Sequence, residues 1–238
     1  MIIAGGDEAG RGAVLGPLVV SIVAIGKNRE KRLAEIGVRD SKQLSKRQRE
    51  FLFGEIYNTA EEVAYYAISN EEINAAMQSG ISLNELEALH FAKLVDSLNS
   101  SVKRLYIDSP DVLPWRFGVR MGMFAKKTLI TARAKAKDID KSKQESTAIR
   151  VTAEHKADVK YPIVSAASIV SKVIRDREIE RIRQELGIML GSGYPSDHFT
   201  ITALKENLEN RELQSYVRQK WQTLKHIRQK HIEEFLSA

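Results

Sequence analysis

Two adjacent acids close the first apolar segment of the chain, and a glycine-rich loop follows them. The sequence begins MIIAGGDEAGRG, which places Asp7 and Glu8 just before Gly10-Arg11-Gly12. The stretch has two interpretations: an ordinary polar turn, or a place where a metal ion and an anion meet. Glycines let a ligand approach the main chain closely. Backbone groups of such a loop can therefore read a sugar hydroxyl as well as a phosphate.

Acids also follow two later segments that read as strands. RLYID ends at Asp108, and AIRVTAE is followed by Asp158 in HKAD. Each acid taken singly is also explained as a turn residue. However, strand ends gather at one edge of an α/β sheet, where the loops carry the chemistry. Carboxylates brought together there repel one another unless a cation lies among them. Oxygen ligands without His or Cys favour Mg²⁺ or Mn²⁺.

Several other kinds of site are excluded by residue counts and spacing. The chain has no cysteine, so it has no disulfide framework and no thiolate metal site. Its five histidines are scattered apart from HIRQKH, which is typical of a solvated helix face and not of a zinc site. Neither a GxSxG elbow nor a GxxxxGK[ST] loop occurs, and GRGAVLG lacks the spacing of a dinucleotide fingerprint.

Charge and hydropathy limit the class of partner. The 238 residues carry a net charge of +6, which favours a polyanionic partner. Three basic tracts (DSKQLSKRQRE, TARAKAKDIDKSKQ and VRQKWQTLKHIRQKH) are each explained by a solvated helix face, but together they can line a groove. No apolar run approaches the roughly 20 residues that span a bilayer. The N-terminus lacks the basic region of a signal peptide, so we expect a cytoplasmic protein.

The order of strands and helices predicts an α/β fold. Residues 1–6 and LVVSIVAIG form a hairpin, EVAYYAIS adds a third strand, and strands then alternate with helices. Ser45 caps a helix with Phe51, Leu52 and Ile56 on its inner face, and a long helix starts at Pro162. We predict a mixed sheet with an antiparallel start and later parallel strands, flanked by helices. The α/β domain, catalytic if the acids above hold a metal, is expected at 1–198 and a C-terminal helical extension at 199–238.

Five motifs in this order resemble the archaeal form of ribonuclease HII, the type 2 ribonuclease H. They are GGDEAGRG, RDSKQL, YIDSPD, EHKADVKYPIVSAASIVSKVIRD and GSGYPSD, and they span most of the chain. The resemblance implies a ribonuclease H-like fold and a metal-dependent endonuclease. This enzyme would cut the RNA strand of RNA–DNA hybrids, and 5′ of ribonucleotides embedded in duplex DNA, leaving 3′-OH and 5′-phosphate ends.

The resemblance also implies roles for individual residues. It places Mg²⁺ or Mn²⁺ on four acids, which are Asp7, Glu8, Asp108 and Asp158. It assigns 2′-hydroxyl contact to Gly10, Arg11 and Gly12, junction sensing to Tyr194, and phosphate contact to the motif of Lys42. Lys172 and Arg175, in the motif of the long helix, complete the expected substrate-binding set. The residue types alone leave the role of Tyr194 open, because a tyrosine in a Gly/Pro turn can equally cap the core.

Partners and rival functions follow from the same comparison of motifs. We expect RNA–DNA hybrid and ribonucleotide-containing duplex DNA as partners, no membrane, and a monomer; a contact with the replication clamp is left open. One rival is a hybrid-binding protein that has lost the chemistry, which the four acids argue against. Another is a related carboxylate nuclease or recombination enzyme acting on DNA, which would lack a 2′-hydroxyl reader. Gly6 replaces the family's usual bulky residue and is expected to loosen the first strand.

Overall fold

The computed structural model describes residues 1–38, 41–131 and 148–237. Within these ranges the side chains of residues 42, 230–232 and 234–237 are not described. Almost all of the basic tract TARAKAKDIDKSKQ therefore lies outside the described residues, as does the side chain of Lys42.

One mixed sheet of six strands runs through the described residues. Its order is β3-β2-β1-β4-β6-β5, antiparallel over the first three strands and parallel from β1 onward. The strands are β1 Ile2–Ala9, β2 Leu18–Gly26, β3 Glu62–Ile68, β4 Val102–Asp108, β5 Leu129–Thr131 and β6 Ile149–Glu154. The predicted mixed sheet is confirmed. Only β5 was missed, because a strand of three residues is too short to show a period.

Helices supply the connections between the strands and most of the C-terminal third of the chain. They are α1 Glu30–Glu35, α2 Lys46–Thr59, α3 Asn70–Gln78, α4 Leu83–Ser97, α5 Pro114–Phe124, α6 Ala157–Lys160, α7 Pro162–Leu186, α8 His198–Glu206, α9 Arg211–Ser215 and α10 Gln222–Ser237, with 3₁₀ turns at Lys27–Arg29 and Ser41–Gln43. The long helix predicted from Pro162 is confirmed. No described helix combines the length and apolarity needed to cross a membrane.

The start of α2 follows from a local signal in the sequence. The Ser45 side chain accepts from the Gln48 amide, and the Gln48 side chain accepts from the Ser45 amide, which is a capping box. Leu52 and Ile56, four residues apart, are buried on one face. Phe51 is 65% exposed, so its predicted inward position was wrong. It lies about 100° around the helix from Leu52 and therefore faces away.

The packing of β1 depends on two glycines. A Cβ on Gly5 would lie only 2.6 Å from the Val164 nitrogen at the start of α7, so only glycine allows this close approach. A Cβ on Gly6 would lie 3.2 Å from both Ile107 Cδ1 and Phe91 Cε1, which occupy the space of the missing side chain. The ladder with β4 continues through Gly6, which is paired with Ile107.

The chain divides into two compact units. The first contains Met1–Ala9, Val20–Tyr66 and Asn84–Val173; the second contains Gly10–Val19, Ala67–Leu83 and Ile174–Ala238. The second unit has a core of its own, made of Val14, Leu15, Ile179, Ile182, Leu190, Ala203, Leu204, Leu213, Val217, Leu224 and Ile227. The catalytic domain at 1–198 and the C-terminal helical extension at 199–238 stay predictions.

Candidate active site

Three of the four predicted acids meet at the carboxyl ends of two parallel strands. Asp7 and Glu8 lie near the end of β1, and Asp108 is the last residue of β4, the strand paired with it in parallel. One carboxylate oxygen from each residue lies within 4.8 Å of the other two. Parallel neighbours end at the same edge of a sheet, which is why residues about 100 positions apart converge here. We call these three residues the acid cluster.

The negative charges of the acid cluster act on one another. The pKa of Asp7 is raised well above its usual range, first by burial and next by the negative charge of Glu8, with Asp108 adding to it. Hydrogen bonds from the Ser168 side chain and from the Glu8 amide, 2.8 Å from Asp7 Oδ1, oppose this shift without reversing it. Carboxylate oxygens at this spacing, with Asp7 only 5% exposed, fit a hard divalent cation.

Asp158 follows a residue that contacts the acid cluster, but its own carboxylate is not one of the cluster's members. It occupies the first turn of α6 and is 7% exposed. Ala157, the residue before it, donates its backbone N–H to Asp108 Oδ1 at 2.7 Å. The structure therefore brings the backbone beside Asp158 onto the acid cluster, while its carboxylate does not join the 4.8 Å group of the three described acids.

Serines of α7 support the acid cluster, a role that was not predicted. Ser171 is fully buried, donates its hydroxyl to the Asp7 carbonyl at 2.9 Å, and lies 2.9 Å from Ser21 Oγ. Ser168 hydrogen-bonds the Asp7 side chain and lies 2.9 Å from Ser41 Oγ. The available signal was the spacing of three between these serines, which puts both on one helix face. The Ser171 hydroxyl therefore gives this chain a polar contact to the Asp7 backbone.

The glycine loop belongs to the second unit and is fastened by a buried arginine from near the C-terminus. Gly10 has φ +93°, and the Ala13 amide donates to its carbonyl at 3.1 Å to close the turn. Arg218 is 0% exposed and donates to the Arg11 carbonyl at 2.9 Å and the Gly16 carbonyl at 3.0 Å. The conformation of the loop thus depends on a residue about 200 positions away, which no local pattern indicates.

Arg175 supports the same loop and the predicted junction tyrosine. It is 0% exposed and donates to the carbonyls of Ser192 at 2.9 Å and Leu15 at 3.2 Å. Its guanidinium carbon lies 4.5 Å from the ring centroid of half-buried Tyr194, at a distance typical of a cation–π contact. The guanidinium of Arg175 thus contacts two backbone carbonyls and the Tyr194 ring, and its role in substrate binding stays a prediction.

The remaining predicted substrate residues are distributed between the two units. Arg11 and Gly12 lie at the tip of the loop turn, Arg11 half-buried and Gly12 exposed, and no atom would meet a Cβ on Gly12 within 4 Å. Lys172, in the first unit, is half-buried on α7. Lys42 lies in the 3₁₀ turn Ser41–Gln43, and its side chain is outside the described residues.

Asp7→Asn is expected to raise the melting temperature of the metal-free protein. The pKa of the Asp7 carboxyl group is raised in the folded protein. The protonated group therefore stabilises the fold fully at pH below the pKa of the unfolded state, and this stabilisation is lost as the pH rises through the pKa of the folded state. Replacing it with neutral asparagine relieves the repulsion at neutral pH. A gain of ~1 kcal/mol corresponds to about 2–4 °C in a chain of this size.

Melting curves of both proteins in EDTA and in millimolar Mg²⁺ check this expectation. Mg²⁺ should raise the melting temperature of the wild-type protein, because a ligand that binds only the folded state stabilises it. It should leave the Asn variant nearly unchanged. A variant that melts lower than the wild type in EDTA would show that Asp7 stabilises the fold without metal.

Known proteins resemble this chain over nearly its whole length. The ribonuclease HII family profile matches residues 4–224. A ribonuclease HII from Pyrococcus horikoshii is 42% identical over 231 residues, covering 97% of this chain and 94% of the relative. One from Archaeoglobus fulgidus is 39% identical over 232 residues, covering 98% and 99%.

Solved structures agree with the sequence comparison. The crystal structure of ribonuclease H2 from Pyrococcus horikoshii superposes with a TM-score of 0.80 at 39% identity, covering 97% of this chain and 98% of that one. The ribonuclease HII in the PCNA complex from Archaeoglobus fulgidus gives 0.76 at 38% identity, covering 93% and 96%. The family profile, the full-length relatives, the mixed sheet and the acids at the ends of β1 and β4 agree, and the chain belongs to the ribonuclease HII family, whose members are ribonuclease H enzymes.

Proposed function

We propose that this protein is a metal-dependent endoribonuclease. It cleaves the RNA strand of RNA–DNA hybrids and cuts 5′ of single ribonucleotides embedded in duplex DNA, leaving 3′-OH and 5′-phosphate ends. The observation that carries the proposal is the acid cluster, with three carboxylate oxygens within 4.8 Å of one another.

The residues of the acid cluster fit Mg²⁺ or Mn²⁺, and Asp158 is proposed as a fourth ligand. A bound divalent cation would supply Lewis-acid charge at the phosphoryl oxygens and lower the pKa of bound water. The protein's own contribution is to hold the carboxylates in place. The Ser171 hydroxyl donates to the Asp7 carbonyl, and Ser168 hydrogen-bonds the Asp7 side chain. The Ala157 amide donates to the Asp108 carboxylate. In the reaction a water oxygen bonds to phosphorus and the bond to the 3′ oxygen breaks.

Selectivity for RNA requires a group that senses the 2′-hydroxyl. Gly10-Arg11-Gly12 follows the acids after a single residue in the chain, which supports assigning it this role. The turn at Gly10 needs a positive φ, and a Cβ there would collide with Arg175 and with the Pro17 carbonyl, so any side chain at this position is excluded. Tyr194 is proposed to sense the deoxynucleotide that follows the ribonucleotide.

One gel tests the proposed reaction. The protein is incubated with Mg²⁺ or Mn²⁺ and three end-labelled duplexes: an RNA–DNA hybrid, a DNA duplex containing one ribonucleotide, and an all-DNA duplex. We expect cutting of the first two only, with the single-ribonucleotide duplex cut at the 5′ side of the ribose. Binding without cutting would support the rival of an inactive hybrid-binding protein. Cutting of the all-DNA duplex would support the rival of a DNA nuclease.

We also propose a contact with a sliding clamp. The Archaeoglobus relative was solved as a complex with PCNA. The last residues of this chain, QKHIEEFLSA, include Ile232, Phe235 and Leu236 at helical spacing, a pattern that suits an apolar groove on a partner. Deleting residues 230–238 should abolish co-elution with a clamp in gel filtration and leave cleavage of short duplexes unchanged. Retained co-elution would place the contact elsewhere.

A further inference from the structure

Lys156 adopts a backbone conformation that lysine rarely takes. Its φ is 55° and its ψ 40°, in the left-handed region, and it is the only non-glycine residue with positive φ among the described residues. A Cβ makes this region unfavourable, whereas glycine and asparagine enter it more readily. Strained residues of this kind cluster at functional sites. Lys156 lies two residues before Asp158.

Contacts on both sides hold Lys156 in this conformation. On its N-terminal side, His155 Nε2 donates to the Asp111 carbonyl at 2.8 Å. On its C-terminal side, the Ala157 amide donates to Asp108 Oδ1 at 2.7 Å. The Val159 amide donates to the Lys156 carbonyl at 3.2 Å and closes the turn. The backbone that starts α6 at the acid cluster therefore requires a left-handed residue here, but it does not require lysine.

The position of the backbone brings the Lys156 ammonium within reach of the acid cluster. A Cα atom lies about 2.4 Å from the next amide nitrogen along the chain. Added to the 2.7 Å hydrogen bond from Ala157, this puts Lys156 Cα within about 5 Å of an Asp108 carboxylate oxygen. A lysine carries its charge about 6 Å out on a flexible four-carbon stem. The ammonium can therefore touch an anion bound at the cluster.

The ammonium group of Lys156 is also available to bind a ligand. The side chain is exposed and makes no hydrogen bond or ion pair with any described residue. The next lysine along the chain, Lys160, is instead paired with the Glu154 carboxylate. If the turn needed only its backbone shape, glycine would provide it without strain. A strained lysine beside the acid cluster, whose charge is paired with no described residue, points to a use for the side chain.

We propose that Lys156 contacts the substrate directly, binding a non-bridging oxygen of the phosphodiester held at the acid cluster. This inference rests on the proposed function and adds a residue to it. Lysine suits the task because its compact, rotatable ammonium binds phosphate as a point charge. The contact would offset the negative charge that substrate brings to the three acids.

Four single variants test the proposal: Lys156→Gly, Lys156→Asn, Lys156→Arg and the control Lys93→Ala. Lys93 is an exposed lysine on α4 in the same unit. The Gly and Asn variants keep the left-handed turn and remove the charge. Their kcat/KM on RNA–DNA hybrid should fall about tenfold, as for a hydrogen bond to a charged group. Their melting temperatures should stay equal to that of the wild type or rise, because the strain is relieved.

Charge, and not shape, should decide the outcome. Lys156→Arg is expected to keep at least half of the wild-type kcat/KM, and Lys93→Ala all of it. The slope of log kcat/KM against log salt should become shallower by about one unit in the Gly variant, as for one lost phosphate contact. Gly and Asn variants within twofold of the wild type would overturn the proposal. So would a loss of activity accompanied by a large drop in melting temperature. If the wild-type protein cuts no ribonucleotide-containing duplex, the proposed function itself has failed, and this inference fails with it.

Discussion

Asp108→Asn is expected to lower kcat for hybrid cleavage at least about a hundredfold, in the range seen when one preorganised electrostatic group is removed from a site. Asp108 supplies one of the three carboxylates whose oxygens lie within 4.8 Å of one another. Asparagine keeps an oxygen that can accept the Ala157 amide, so the start of α6 should persist. The variant therefore loses charge without losing local structure. Single-turnover cleavage at saturating Mg²⁺ measures the effect.

Glu154→Gln is the matched control for this variant. Glu154 is paired with Asp108 in the β4–β6 ladder, and its carboxylate bonds to Lys160 and to the Tyr161 hydroxyl. Those partners hold the pKa of Glu154 below its usual value, with Lys160 the largest cause. Removing its charge should leave cleavage within about threefold of the wild type. If Asp108→Asn retains more than about a tenth of the wild-type rate, ~1.4 kcal/mol of barrier, Asp108 is not an essential metal ligand.

Tyr194→Ala is expected to lower cleavage at a single embedded ribonucleotide by one to two orders of magnitude, within the roughly 1–3 kcal/mol of a lost stack on an aromatic ring. Cleavage within a long RNA–DNA hybrid, which has no junction, should fall much less. The ring is half-buried and lies over the Arg175 guanidinium at 4.5 Å. This contact holds one face of the ring in place and suits a ring that is presented to a ligand.

Comparing both substrates with the same preparation of each variant separates sensing from scaffolding. Tyr194→Phe is the control, because it keeps the ring and its contact with Arg175 and removes only the hydroxyl. It should retain the wild-type ratio of activities on the two substrates. Equal losses on both substrates for Tyr194→Ala, together with a lower melting temperature, would assign the tyrosine to packing.

Much of the fold was readable from local patterns in the sequence. The apolar run of β2, the capping box at Ser45 and the proline at the start of α7 each give a signal within a few residues, and each element forms where it was predicted. The acids at the ends of β1 and β4 were likewise expected to converge, because parallel neighbouring strands end at one edge. Residue type and order along the chain are enough for such inferences.

Tertiary structure alone decided how these parts are supported. Ser171 reaches the Asp7 carbonyl across 164 positions, and Arg218 reaches the Arg11 carbonyl across 207. The Asp158 carboxylate is not among the three acids whose oxygens lie within 4.8 Å of one another, and its ligand role stays a prediction. The left-handed turn at Lys156 is imposed by Asp108 and Asp111 from another strand and its loop. Such contacts join residues distant in sequence, and their geometry depends on how helices and strands pack, which periodicity and composition do not encode.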